Sequence, residues 1–281
     1  KKIYCIGLIF LLGMSYFMGK MIRVADGFPK RDIAVSLSFK DDWSYSKGLV
    51  KSPYVNDLFV LKQNSVPEVV FLGDSHVEQY HSRAIEQALV RQVNVGFMTS
   101  GGCMMSIGSN LVGERCKDVQ VQLRKLIKDK GVRILVIGQK WGGYNEEILY
   151  LGTKAYVRLI EEFLREDPLR KIFVLLDNPW DESDNQDFDI FKYIDNRFNV
   201  ESKMNKMDLN VPLPKDESWR RGNEYVLKNI NEKITFIESA DYICPNGNCN
   251  LKNYRDNDHL NSTYVREQAF WIDRIFNTSL N

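Results

Sequence analysis

The sequence predicts an α/β fold: a three-layer αβα sandwich around a mostly parallel five-stranded sheet, preceded by a transmembrane segment and an irregular extension. Two observations carry the sheet. Short apolar runs rich in β-branched residues recur at Val69–Leu72, Val93–Met98, Val132–Ile137, Lys171–Leu176 and Ile234–Ile237, as strands buried on both faces do. Between them lie stretches with apolar residues at helical spacing, so strand and helix alternate and the helices must cover both faces.

The chain opens with Lys1-Lys2 followed by an uncharged run from Ile3 to Gly19, which sits at the lower length limit for crossing a bilayer. Residues 1–22 read as a membrane helix at the end of a larger membrane domain. A secretory signal peptide and a buried core helix are the competing readings, but Lys20-Met21-Ile22-Arg23 offers no small-residue cleavage site. The paired lysines favour a cytoplasmic start and leave the rest outside. Residues 23–66 show loops with scattered aromatics, such as Asp26-Gly27-Phe28-Pro29 and Ser52-Pro53-Tyr54, and read as a linker packing on the main domain, residues 67–281.

In that domain Gly73 and Asp74 break the first strand and a helix runs from His76 to Val90. Further helices are expected over Lys117–Lys130, Leu151–Glu166, Glu217–Ile230 and Ser262–Phe276. Between Asp177 and Glu217 the pattern dissolves into a polar insertion, read as solvated loop.

Charge narrows the function. A net charge of +1 with no basic cluster argues against nucleic acid as a partner. Cys5 lies in the apolar run, while Cys103, Cys116, Cys244 and Cys249 form an even set beyond it. Disulfides Cys103–Cys116 and Cys244–Cys249 in an oxidising compartment are the preferred pairing of three possible ones. Neither spacing is the usual zinc knuckle, and no metal site is expected.

Ser75 falls on the tight turn between a strand and a helix, where unpaired helix N–H groups can hold an oxyanion. Of the three histidines, His76 adjoins the serine and is poorly placed to face it, and His81 reads as a surface residue. His259 remains, with Asp256 three residues before it to orient the ring. Asp74 and Asp258 read as structural or capping residues. Ser75, Gly101/Gly102, Trp141 and the Asp256–His259 loop all follow expected strand ends, the edge where sites of such sheets gather.

Phe71-Leu72-Gly73-Asp74-Ser75-His76, Gly102-Cys103, Trp141-Gly142-Gly143-Tyr144 and Asp256-Asn257-Asp258-His259-Leu260 together resemble the blocks of the SGNH (GDSL-like) hydrolase and acyltransferase superfamily. They are similar in particular to the SGNH domain fused behind the membrane part of acyltransferase family 3 proteins, the O-antigen acetylase type. The resemblance covers roughly Pro67 to Asn281. It implies Ser75 as nucleophile, His259 as base and Asp256 as its partner, with Gly101 or Gly102 donating to the oxyanion. The wider superfamily has an Asn in its third block. Here Trp141 and Tyr144 follow the fused-domain pattern, Asn145 is a nearby candidate donor, and the aromatics are candidates to line the acyl or sugar site.

The resemblance further implies an O-acetyltransferase acting on the O-antigen of lipopolysaccharide. No cofactor would be resident, and the acetyl group would come ultimately from acetyl-coenzyme A through the fused membrane domain. The address implied is the bacterial inner membrane, with the domain in the periplasm. A membrane-anchored acetylesterase using the same residues is the alternative, and a non-catalytic glycan-binding domain is a third reading.

Overall fold

Val, Ile, Leu and Phe make up most of five strands, and nearly all the residues of four of them are buried. The computed structural model describes residues 48–100, 114–180, 210–214, 217–230, 233–256 and 258–278, without the side chains of 114–120. The described residues run through strands β1 (Val50–Lys51), β2 (Phe59–Val60) and β3 (Val69–Gly73), helices α1 (Ser75–Glu78) and α2 (His81–Arg91), and β4 (Val95–Thr99). They continue through α3 (Glu114–Lys128), β5 (Ile134–Gly138), a 3-10 turn at Trp141–Gly143, α4 (Glu146–Glu166) and β6 (Lys171–Leu175). Then follow β7 (Asn210–Pro212), α5 (Ser218–Asn229), β8 (Ile234–Ile237), α6 (Ala240–Ile243), β9 (Asn248–Asn250), α7 (Ser262–Gln268) and α8 (Asp273–Asn277).

Among the described residues the main sheet has seven strands in the order β1-β2-β4-β3-β5-β6-β8. Five of them, from β4 to β8, are parallel neighbours. The other two correct the expectation of five: residues read as loop supply β1 and β2, which pair antiparallel along the β4 edge. Each is two residues long, too short to show alternation. β7 and β9 pair separately.

Alternation across the pleat divides the core into two layers. Val70, Leu72, Leu135, Ile137, Ile172 and Val174 face α3, α4 and α5. Val69, Phe71, Val95, Phe97, Val136 and Phe173 face α2, α7 and α8. Each such side chain contributes roughly 1.5–3 kcal/mol on burial. Helix α4 shows the local logic: Asn145 caps it by accepting from the Ile148 N–H, Glu146 and Glu147 complement its dipole, and Leu149, Tyr156, Leu159, Ile160 and Phe163 form the buried stripe.

The final expected helix is not continuous, since a 3-10 turn at Phe270–Ile272 separates α7 from α8. The apolar run within residues 1–22 lies outside the described residues. Among those described, no helix is long and apolar enough to cross a membrane.

Register sets the site. Gly73 pairs with both Thr99 and Gly138, Gly138 with Leu175, and Leu175 with Ile237. The carboxyl ends of the five parallel strands therefore align, and the segments after them share one edge.

Candidate active site

The junction after β3 is built on close approach. A Cβ on Gly73 would stand 2.0 Å from the Gly138 carbonyl oxygen and 2.5 Å from Val77 Cγ2. Only glycine lets α1 start directly against β5. Asp74 then caps that helix, its Oδ1 accepting from the His76 N–H at 2.9 Å and its Oδ2 from the Lys140 N–H at 3.0 Å. One carboxylate so fixes both junctions, and burial raises its pKa against the pull of the His76 charge and the two N–H groups. Ser75 opens α1 half-exposed, with its N–H among those that lack an intrahelical partner.

The histidine arrives on a closed loop. Tyr254 and Leu260 form a β-bridge, and the Arg255 N–H donates to the His259 carbonyl at 2.8 Å. Inside the loop Asp256 Oδ1 accepts from the His259 N–H at 2.7 Å and from the Asp258 N–H at 3.1 Å. The His259 ring then lies with Nδ1 2.9 and 3.1 Å from the two Asp256 oxygens and Nε2 2.8 Å from Ser75 Oγ. Burial lowers the pKa of this imidazole, but Asp256 and Asp258 more than offset that, and it stands above its ordinary value.

A second histidine lies behind the first. His76 is buried, its ring 4.7 Å from that of His259. Its Nδ1 meets Asp177 Oδ1 at 2.6 Å, while Trp180 Nε1 donates to Asp177 Oδ2 at 2.7 Å. Burial opposes its charge, yet Asp177, Asp258 and Asp74 push its pKa up to about 10. Its surroundings therefore favour the imidazolium form.

Asp258 lies between the two rings. Its Oδ1 is 2.7 Å from His259 Nδ1, and its Oδ2 is 2.9 Å from Lys140 Nζ and 3.6 Å from His76 Nε2. Burial works against its charge, but the flanking imidazoles hold its carboxyl well below the usual carboxylate range. Lys140 also sits 4.2 Å from the Trp180 ring centroid.

Asp258 is therefore part of the site rather than a capping residue, a correction to the sequence reading. Asp177, Asn178 and Trp180 are buried beside it instead of forming a solvated loop. His81 is buried too, its Nδ1 2.9 Å from the Glu78 carbonyl. His76, Asp258 and His259 have potential ligand atoms within 4.8 Å of one another. These three side chains are already paired with Asp177, Lys140, Asp256 and Ser75, as an ion and hydrogen-bond network.

The structure brings Ser75, His259 and Asp256 together and leaves three expected site residues elsewhere. Trp141 is sunk in the core, its Nε1 donating to the Leu175 carbonyl at 3.0 Å and its ring edge-on to Tyr156. It has no face left to line a substrate cleft. Tyr144 packs against the same core, and its hydroxyl accepts from Gln139 Nε2 at 2.7 Å. Asn145 is the exposed cap of α4. Gly101, Gly102 and Cys103 lie outside the described residues, as does the side chain of Cys116. Cys244 and Cys249 form a disulfide.

An α/β fold with a mostly parallel sheet carries a serine, a histidine and an aspartate in hydrogen-bonded sequence at its carboxyl edge, the frame of an enzyme acting on acyl esters. More particularly, the chain belongs to the SGNH domain family of the kind fused to AT3 domains, whose family model matches residues 47–268. No curated protein matches it. Among solved structures it is similar to a Salmonella ser. Paratyphi A lipopolysaccharide acetyltransferase periplasmic domain, at 16% identity and TM-score 0.56 over 75% of this chain and 83% of that one. A carbohydrate acetylesterase from Sinorhizobium meliloti matches at 13% identity and TM-score 0.40, over 73% of this chain and 96% of its own. A GDSL-like lipase from Bacteroides thetaiotaomicron matches at 14% identity and TM-score 0.41, over 75% of this chain and 88% of its own.

Proposed function

We propose that the domain is an O-acetyltransferase that passes an acetyl group through an acyl-serine to a sugar hydroxyl of a bacterial surface glycan, the lipopolysaccharide O-antigen. The observation that carries this reading is the 2.8 Å approach of His259 Nε2 to Ser75 Oγ, with Asp256 on the opposite ring nitrogen. His259 takes the Ser75 proton as Oγ attacks the donor carbonyl, then returns it to the departing thiol or alcohol. In the second half the sugar hydroxyl gives its proton to His259 and takes the acetyl group, and Ser75 recovers its proton. Asp256 orients the ring and stabilises the imidazolium. The Ser75 N–H and that of Gly101 or Gly102 hold the oxyanion, each such donor being worth ~3 kcal/mol in comparable sites.

The fusion in the family description supports a partner acyltransferase domain; in this reading that domain lies in the membrane and delivers acetyl groups derived from acetyl-coenzyme A, and no cofactor is resident here. The same fusion, and the periplasmic Salmonella domain, support an inner-membrane protein facing the periplasm. Transfer to water, the esterase reading, uses the same three residues. Incubating the full chain with an activated acetyl ester, with and without O-antigen, separates the two. Acetylated polysaccharide is expected; release of acetate alone would rule out the transferase.

A further inference from the structure

We propose that His76 is a positioning residue that, held between Asp177 and Asp258, offsets the carboxylates at His259 and so favours the neutral imidazole that accepts the Ser75 proton. The inference rests on the acyl-serine reading of Ser75 and His259. Asp256 and Asp258 both approach His259 Nδ1, at 2.9 and 2.7 Å. Two carboxylates at that range favour the imidazolium, and an imidazolium cannot take a proton from serine. A nearby cation is needed to balance them.

His76 supplies it by geometry. Asp177 binds its Nδ1 and is itself fixed on every side: Trp180 donates to the free oxygen, the Asp177 N–H donates to Asn223 Oδ1 at 2.7 Å, and Asn223 Nδ2 donates to the Asp177 carbonyl at 3.0 Å. The other nitrogen of His76, Nε2, is buried without a hydrogen-bond partner and lies 3.6 Å from Asp258 Oδ2. That distance exceeds a hydrogen bond but not a strong charge–charge contact. Lys140 holds the same oxygen from the end of β5, so two cations share Asp258 and weaken its field at His259.

The titratable and charged groups around the pair are Asp74 and Glu78 on the serine's own segment, Asp177 after β6, Lys140 after β5, and Arg255, Asp256 and Asp258 on the histidine loop. If His76 served stability alone, an apolar or amide replacement would suffice, since buried ion pairs seldom exceed well-packed neutral groups. It would leave His259 unmoved.

The test is a histidine side-chain NMR titration of the full chain in detergent, whose three histidines keep the spectrum assignable. In the wild type His76 is expected to stay protonated throughout the range in which His259 titrates. In His76→Gln the His259 titration is expected to move to higher pH, and in Asp258→Asn to lower pH. Hydrolysis of an activated acetyl ester on the acid side should fall about fivefold to tenfold in His76→Gln. A wild-type His76 that is neutral where His259 titrates overturns the proposal, even if the variant does not fold. So does a His259 titration in His76→Gln that is unmoved or shifted down. Absence of wild-type ester turnover would instead defeat the acyl-serine reading while leaving both titrations decisive about the charges.

Discussion

The chain leaves the sheet twice at neighbouring points and does opposite things. β3 and β5 are parallel and in register through Gly73 and Gly138, and at both positions a Cβ would strike Val77. After β3 the chain enters α1 and leaves Ser75 half-exposed; after β5 it enters a 3-10 turn and buries Trp141. The difference lies in the next polar side chain. Asp74 accepts two backbone N–H groups, one from each junction, and so turns the first outward. Gln139 instead bonds the hydroxyls of Tyr144 and Tyr156 and draws the second inward. Similar strand ends thus present a serine or anchor a core, according to whether the next polar side chain accepts backbone N–H groups or bonds buried hydroxyls.

Breaking each side of that comparison gives graded outcomes. Ser75→Ala should lower turnover of an activated ester by about a thousandfold or more while the unfolding midpoint stays put; comparable turnover would remove Ser75 from the chemistry. Gly73→Ala should be the most damaging for stability, by about 3 kcal/mol or more in denaturant unfolding, because its Cβ meets a backbone oxygen rather than a movable side chain. Trp141→Phe loses the bond to Leu175 and some volume, an expected ~1–3 kcal/mol, with KM for ester and glycan unchanged. A KM raised severalfold at full stability would return the β5 junction to the substrate cleft. Asn145→Ala should lose only ~1 kcal/mol, the value of a helix cap. A hundredfold fall in rate there would instead make Asn145 an oxyanion donor.

The five parallel strands are legible because doubly buried strands need continuous apolar runs, as Val69–Leu72 and Ile134–Ile137 display. β1 and β2 are not, since two exposed residues such as Val50 and Lys51 carry no pattern. Ser75 is marked by a strand ending in Gly-Asp, and His259 by an aspartate within one loop. Asp177 and Lys140 leave no such mark: their partners are 101 and 118 residues away, and only the sheet brings them together. Trp141 misleads because its place in the sequence matches a site position while its side chain turns the other way. The cluster around His76 is hidden for a simpler reason, since an adjacent residue that cannot face the serine is easily set aside.

Gln79 joins the two halves of the site. Its Nε2 donates to the His76 carbonyl at 2.8 Å and to Asn178 Oδ1 at 2.9 Å, and its Oε1 accepts from the Leu260 N–H at 2.8 Å. Lifting the histidine loop away from the serine would strand the Gln79 Oε1 and the Leu260 N–H without each other in a dry interior. Alcohol and imidazole should therefore breathe together as one cooperative unit in hydrogen exchange, and a substrate would meet a pair already assembled before it arrives.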